Sequence, residues 1–305
     1  MSKQYIYVTK DDVKLYGDEY EPQGEVKAVL LIVHGMAEHR KRYADFANFL
    51  ADNGIKVYAY DQRGHGETAG SLDKVGYMSD IDNFNALVED VNAVVLDIKE
   101  KSPGKKVFLL GHSMGSFISQ RYSELYGANV DGVILSGTNY VKGALFRMGK
   151  FLASIITSCK GRKYRSKFLD NLSFGSYNKK FKPNRTAYDW LSVNEENVDK
   201  YIADEYCGNL FTCSFFKDLL QGFKDISSDV DLIRSDLPIY LIAGSLDPVG
   251  NASKGPNKLY KEYNKKGIKD LEIKLYEGKR HEILNEDNKQ EVYDDVYNWL
   301  IKHLN

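Results

Sequence analysis

Four strand-like runs, Ala28–Val33, Ile55–Tyr60, 107–110 and 133–135, apolar throughout except for Lys56, are separated by segments whose apolar residues recur at helical spacing. A strand with no polar alternation must be covered on both faces, which is the condition of a parallel sheet sandwiched between helices. The helical segments span 43–50, closed by Asn53-Gly54, and 84–98, closed by Ser102-Pro103-Gly104. Such alternation predicts an α/β fold, with a mainly parallel central sheet and helices on both faces. Upstream, residues 4–9 and 13–20 read as an antiparallel hairpin bent at Asp11-Asp12. The pattern lapses after Gly137, where 139–235 is helix-like and offers no buried strand, and resumes with an apolar run at 237–243 and a last strand at Leu271–Tyr276. A last helix over 288–304 carries Val292, Val296, Trp299 and Leu300 on one face. The predicted organisation is a core of 1–138 and 236–305, interrupted by a helical cap or lid, 139–235, lying over the strand ends.

The third run leads directly into Gly111-His112-Ser113-Met114-Gly115, with a helix predicted to about Tyr126. A serine between strand and helix, flanked by glycines two positions away, fits a sharp turn that lifts its hydroxyl above the sheet. The same residues also suit an ordinary helix start with Ser113 as N-cap. A serine hydroxyl needs a base and an acid to become a nucleophile. Of six histidines, His34, His39, His65 and His112 precede the serine, and His303 sits in the last turn of the final helix, suited to its carbonyls. His281 remains, just beyond the last strand. Asp247 follows a buried strand and precedes Pro248, which makes it the candidate acid, with Glu277 as the alternative. The developing oxyanion needs preset donors, and the backbone N–H groups of Met36 and Met114 are the candidates.

Composition narrows the remaining classes. With 42 basic and 43 acidic side chains, the net charge of -1 gives no field that would draw nucleic acid. Three cysteines, Cys159, Cys207 and Cys213, read as reduced thiols, and no run approaches the ~20 apolar residues of a bilayer span or the core of a secretory leader. A cytoplasmic location is therefore expected.

His34-Gly35-x-x-Glu38-His39, Asp61-x-Arg63-Gly64-His65-Gly66, Gly111-His112-Ser113-Met114-Gly115, Asp247-Pro248 and Gly278-x-x-His281-Glu282 together resemble the α/β-hydrolase superfamily. They are most similar to its monoacylglycerol lipase and bacterial lysophospholipase branch, also grouped with serine aminopeptidases. The resemblance implies the triad Ser113, Asp247 and His281, and an oxyanion amide from the residue after His34-Gly35. It also implies places near the site for Glu38 and Arg42, whose spacing suits a surface helix pair equally well. Thr186-Ala187-Tyr188-Asp189-Trp190-Leu191-Ser192, Val198-Asp199-x-Tyr201 and Cys207-Gly208 resemble the cap of bacterial members. Val193 and Glu205-Tyr206 depart from that pattern.

The expected activity is hydrolysis of acyl esters, monoacylglycerol-like or lysophospholipid-like, through an acyl-Ser113 intermediate, with no metal or organic cofactor required. Gly35, His112, Leu145 and Met148 are further candidates for the substrate pocket. The stripe Val141, Leu145, Met148, Leu152, Ile155 and Ile156 reads either as a cap helix packed on its own domain or as a lid meeting acyl chain or lipid. Lys160, Arg162, Lys163, Arg165 and Lys167 follow it, which suits contact with anionic lipid or a solvated face. Two other functions fit the same framework. One is an aminopeptidase or amidase with an acidic amine site from Glu195-Glu196 and Asp204-Glu205; the other is a non-catalytic receptor for a small apolar ligand.

Overall fold

The computed structural model describes residues 2–79, 83–142 and 144–304, with the backbone alone at 83, 144 and 145. Its strands are β1 (Ser2–Val8), β2 (Lys14–Tyr20), β3 (Ala28–Val33), β4 (Ile55–Tyr60), β5 (Val107–His112), β6 (Gly132–Ser136), β7 (Ile239–Gly244) and β8 (Leu271–Tyr276). They form one sheet in the order β1-β2-β4-β3-β5-β6-β7-β8. The first hairpin and the β2/β4 pair are antiparallel, and every pair from β4 to β8 is parallel.

The apolar runs are explained by two cores, one on each face. Along β3, Val29, Leu31 and Val33 enter one cluster, while Ala28, Leu30 and Ile32 enter the other. The first is closed by α2 (Asn83–Lys101), α3 (Met114–Tyr126) and α8 (Lys254–Lys265), the second by α1 (Ala44–Asp52) and α9 (Lys289–Lys302). Each buried Val, Leu or Ile contributes about 1.5–3 kcal/mol, so shifting a central strand by one residue would misplace its side chains on both faces at once. Helix α8 has no counterpart in the sequence reading. Lysines dominate it, Pro256 sits in its first turn, and only Leu259 and Tyr263 carry large apolar side chains into the core.

Four helices lie between β6 and β7: α4 (Ala144–Lys160), α5 (Lys167–Phe174), α6 (Glu195–Ala203) and α7 (Cys213–Asp229). Helix α7 joins the first core through Phe215, Phe216, Phe223 and Ile226 and packs along α4. The stripe expected on α4 divides. Val141, just before the helix, is buried and Ile156 packs against the core, whereas Met148 and Ile155 are exposed, as is Phe151 between them. The basic run divides too: Arg165 donates to the Asp73 carbonyl at 2.8 Å and to the Leu210 carbonyl, and Lys163 lies over the Tyr77 ring, leaving Lys160 and Lys167 exposed.

Candidate active site

Ser113 follows the last residue of β5, and its backbone is left-handed, φ 52° and ψ −117°. This conformation is costly for a residue with a Cβ and persists only where the surroundings enforce it. Here they do. A Cβ on Gly115 would strike the Val33 and His34 carbonyls, and one on Gly111 would strike Ser119 and the Gly115 carbonyl, so only glycines let β5, α3 and β3 approach this closely. The hydroxyl does not cap α3, and Ser113 Oγ has no hydrogen-bond partner among the described residues.

Asp247 is fully buried after β7. Its Oδ1 accepts the Val249 N–H at 2.8 Å, which fixes the carboxylate, and its Oδ2 lies 2.9 Å from His281 Nδ1. Glu277, the alternative acid, is exposed. Gly137, at φ 58°, ends β6 against the His281 ring, where a Cβ would lie 2.9 Å from Cε1. His281 and Ser113 line the same cavity, although no hydrogen bond joins them. Burial lowers the imidazole's proton affinity, but the Asp247 charge and hydrogen bond, reinforced by Glu282 and Glu38, raise its pKa above the ordinary value. His112 lies beside it, ring centroids 4.7 Å apart, and burial, with the nearness of His281 and Arg42, pushes its pKa well below the ordinary value.

The loop after β3 is braced from below. Glu38 accepts the Gly35 N–H at 2.6 Å and the Tyr43 hydroxyl at 2.8 Å. Arg42 lies 3.6 Å from Glu38 and donates to both oxygens of Glu282, at 2.6 and 2.7 Å, and to Asn197 Oδ1. Both side chains are largely buried, so the surface-pair reading does not hold: they tie the loop of Met36 to the residue after His281. Neither Met36 N–H nor Met114 N–H donates to an acceptor among the described residues, and both residues border the cavity beside Ser113. The second loop motif supports the first, since Asp61 accepts the Arg40 N–H at 2.9 Å and His34 Nε2 accepts the Gln62 N–H at 3.0 Å.

Two cavities meet at Ser113, sharing Met36 and Phe174 as well. One, about 360 Å³, is apolar, bordered by Val141 and by Phe117, Phe146, Leu152, Leu219 and Phe223 from α3, α4 and α7, with no charged side chain among its described lining. Met148 borders it with 57% of its surface exposed, whereas the side chain of Leu145 lies outside the described residues. The other, about 370 Å³, is more polar and holds Gly35, His112, His281, Asp170, Tyr188 and Trp190.

Asp170 and Phe174 of the polar cavity carried no signal in the sequence. The Trp190 ring lies 5.2 Å from that of His281, and the Tyr201 hydroxyl and Gly208 N–H both donate to the Ala37 carbonyl at 3.0 Å. The residues quoted from the cap resemblance, Tyr188, Trp190, Tyr201 and Gly208, do converge on this cavity. The acidic amine site does not assemble: Glu195, Glu196 and Glu205 are exposed, and Asp204 sits 2.8 Å from His39. Val193, the departure in that motif, donates its N–H to Glu286 and borders neither cavity. His39, Asp204 and Cys207 form one cluster of metal-ligand type and Asp270, Glu272 and His303 another. In each, the histidine Nε2 already faces a carboxylate of its own cluster, and His303 Nδ1 lies 2.7 Å from the Trp299 carbonyl.

Sheet order and elbow together define an α/β-hydrolase. Residues 24–288 match the family described as serine aminopeptidase, S33, and the chain belongs to that family. It is 26% identical over 300 residues to a monoacylglycerol lipase of Mycolicibacterium smegmatis, covering 96% of this chain and 94% of that protein. It is 28% identical over 297 residues to the human monoglyceride lipase, covering 96% and 88% respectively. A thermostable carboxyl esterase from Bacillus coagulans, solved with glycerol, superposes with a TM-score of 0.91 over 100% of this chain and 99% of that one at 22% identity.

Proposed function

We propose that this enzyme, a carboxylic ester hydrolase by family and fold, cleaves single-chain acyl esters of the monoacylglycerol type with Ser113 as nucleophile. The observation that carries this reading is the meeting of an apolar and a polar cavity at an unpartnered serine hydroxyl, beside a buried Asp247–His281 pair. The apolar arm suits a fatty acyl chain, since it offers nothing to solvate a charge, and the polar arm suits the alcohol. In this reading His281 takes the Ser113 proton as Oγ attacks the ester carbonyl, and Asp247 stabilises the imidazolium. The oxyanion is held by the Met36 and Met114 amides, whose lack of protein acceptors leaves them ready for it. His281 then protonates the leaving alcohol, and water activated by the same ring releases the fatty acid. Residues 139–235 act as the cap that walls both arms.

Labelling by a fluorophosphonate tests the nucleophile: the native enzyme should be modified, and Ser113→Ala should not. Equal labelling of both would dismiss Ser113. An aminoacyl substrate fits less well, because the arm assigned to the acyl group lacks a carboxylate to meet an ammonium. Turnover of p-nitrophenyl acyl esters against aminoacyl-nitroanilides decides between the two.

Met148 and Leu172 border the apolar arm and are exposed, as are Phe151 and Ile155 of α4 and Phe168 of α5, and Lys160 and Lys167 are exposed nearby in the chain. This edge suits contact with anionic lipid, from which an acyl chain would enter. Among the described residues no helix is long and apolar enough to cross a membrane. The thiol count supports a cytoplasmic setting.

A further inference from the structure

The polar arm carries a charge imbalance that ester hydrolysis alone does not explain. Three carboxylates border it, Glu38, Asp170 and Glu282, and no lysine or arginine does so among its described lining. Glu38 and Glu282 are compensated by Arg42, Tyr43, Asn197 and the Gly35 N–H. Asp170 is not. It is partly buried, and its carboxylate has no hydrogen bond or ion pair among the described residues.

Asp170 lies in the first turn of α5, where an acidic side chain often serves the helix. That work is done by Ser166, whose Oγ accepts the Leu169 N–H and whose carbonyl accepts the Asp170 N–H. Burial raises the Asp170 pKa, and its charge adds to burial in raising that of the Tyr188 hydroxyl, so the two groups are electrostatic neighbours at the cavity wall. Aromatic rings make up much of the remaining wall: Phe174, Tyr188, Trp190 and Tyr201. An unpaired carboxylate in a wall rich in aromatic rings attracts cations and repels phosphate.

We propose that the alcohol side of the site is a cation-accepting subsite built on Asp170 and the aromatic rings of the same cavity wall, so that acyl esters of ammonium-bearing alcohols are favoured over neutral isosteres and anionic head groups. The proposal rests on the ester reading and on assigning the polar arm to the alcohol. The acyl transfer itself is unchanged: the ester C–O bond breaks, His281 protonates the departing amino alcohol, and water completes the acid.

The test compares kcat/KM for a fatty acylcholine, the 3,3-dimethylbutyl ester of the same acid, which replaces the charged nitrogen by carbon, and a lysophosphatidic acid. The choline ester should lead its neutral isostere by roughly tenfold, mainly through KM, and the phosphate ester should be poorest. Asp170→Asn should bring the choline-to-neutral ratio to about one, and Asp170→Glu should restore part of it. Choline alone should slow fluorophosphonate labelling of the native enzyme but not of Asp170→Asn, a readout that needs no ester turnover. A native ratio near one, a ratio insensitive to Asp170→Asn, or equal protection of both proteins overturns the proposal. Turnover of aminoacyl-nitroanilides above the choline ester, lost in Asp170→Asn, would give Asp170 to a substrate's amino terminus and overturn it as well. If neither carboxylic ester reacts while choline still protects, the ester reading fails and the cation subsite stands.

Discussion

The rim of the sheet and the segment between β6 and β7 solve opposite problems. At the rim, Asp247 and His281 are almost wholly buried and Ser113 is locked in a left-handed turn, each set by the end of a strand. In the segment between β6 and β7, α4 and α5 keep Met148, Phe151, Ile155, Phe168 and Leu172 exposed, and the helices line cavities instead of filling them. Chemistry needs preset dipoles and short bonds, so it sits where packing over-determines geometry. Selection of a greasy, flexible chain needs apolar surface that is left unfilled.

If this contrast is right, damage at the rim should remove turnover, while damage in the insertion should change which ester is used. Asp247→Asn should lower kcat by about 10⁴-fold, because the imidazole loses the partner that fixes its tautomer. The pH profile sharpens the point. His281 must be neutral to accept the serine proton, and its pKa is raised, so kcat/KM should fall as pH drops through a value above ~6.5. In Asp247→Asn the residual activity should lose this limb toward lower pH; an unchanged limb would detach Asp247 from the titration.

Arg42 joins the two regions, bridging Glu38 and Glu282 of the core and Asn197 of α6. Removing it strands two buried carboxylates, so Arg42→Ala should cost roughly 3–5 kcal/mol in denaturant unfolding. A loss under about 1 kcal/mol would mean that the pair behaves as a surface one.

Within the insertion, Leu152→Trp should shorten the preferred acyl chain, with about 0.8 kcal/mol of transition-state binding lost for each methylene excluded. Short p-nitrophenyl esters should keep their rate. A uniform loss across chain lengths would place the acyl group elsewhere. The smallest effect expected is at the outer edge: Phe151→Asp should weaken binding to anionic vesicles by roughly two- to fivefold and spare a water-soluble ester.

The strands and the rim were largely legible, the insertion much less so. Doubly covered strands such as β3 announce themselves as unbroken apolar runs, and the elbow carries glycines that close packing demands. Helix α4 was ambiguous because its apolar residues serve two faces at once, one toward α7 and one toward solvent. Helix α8 was missed because its lysines hide a two-residue anchor. The five-residue basic run looked uniform, yet Arg165 is spent on backbone carbonyls inside the fold.

By itself the sequence determined the parallel sheet, the order serine, acid, histidine and the candidates for the oxyanion amides, since these follow from local periodicity and turn chemistry. Only the tertiary structure decided that Asp247 rather than Glu277 faces His281, that Glu38 and Arg42 are interior, and that Asp170 has no partner among the described residues at the polar cavity. Those facts depend on which groups are desolvated together and which find partners. Residues distant in the chain settle that by meeting in space, and no spacing along the chain encodes it.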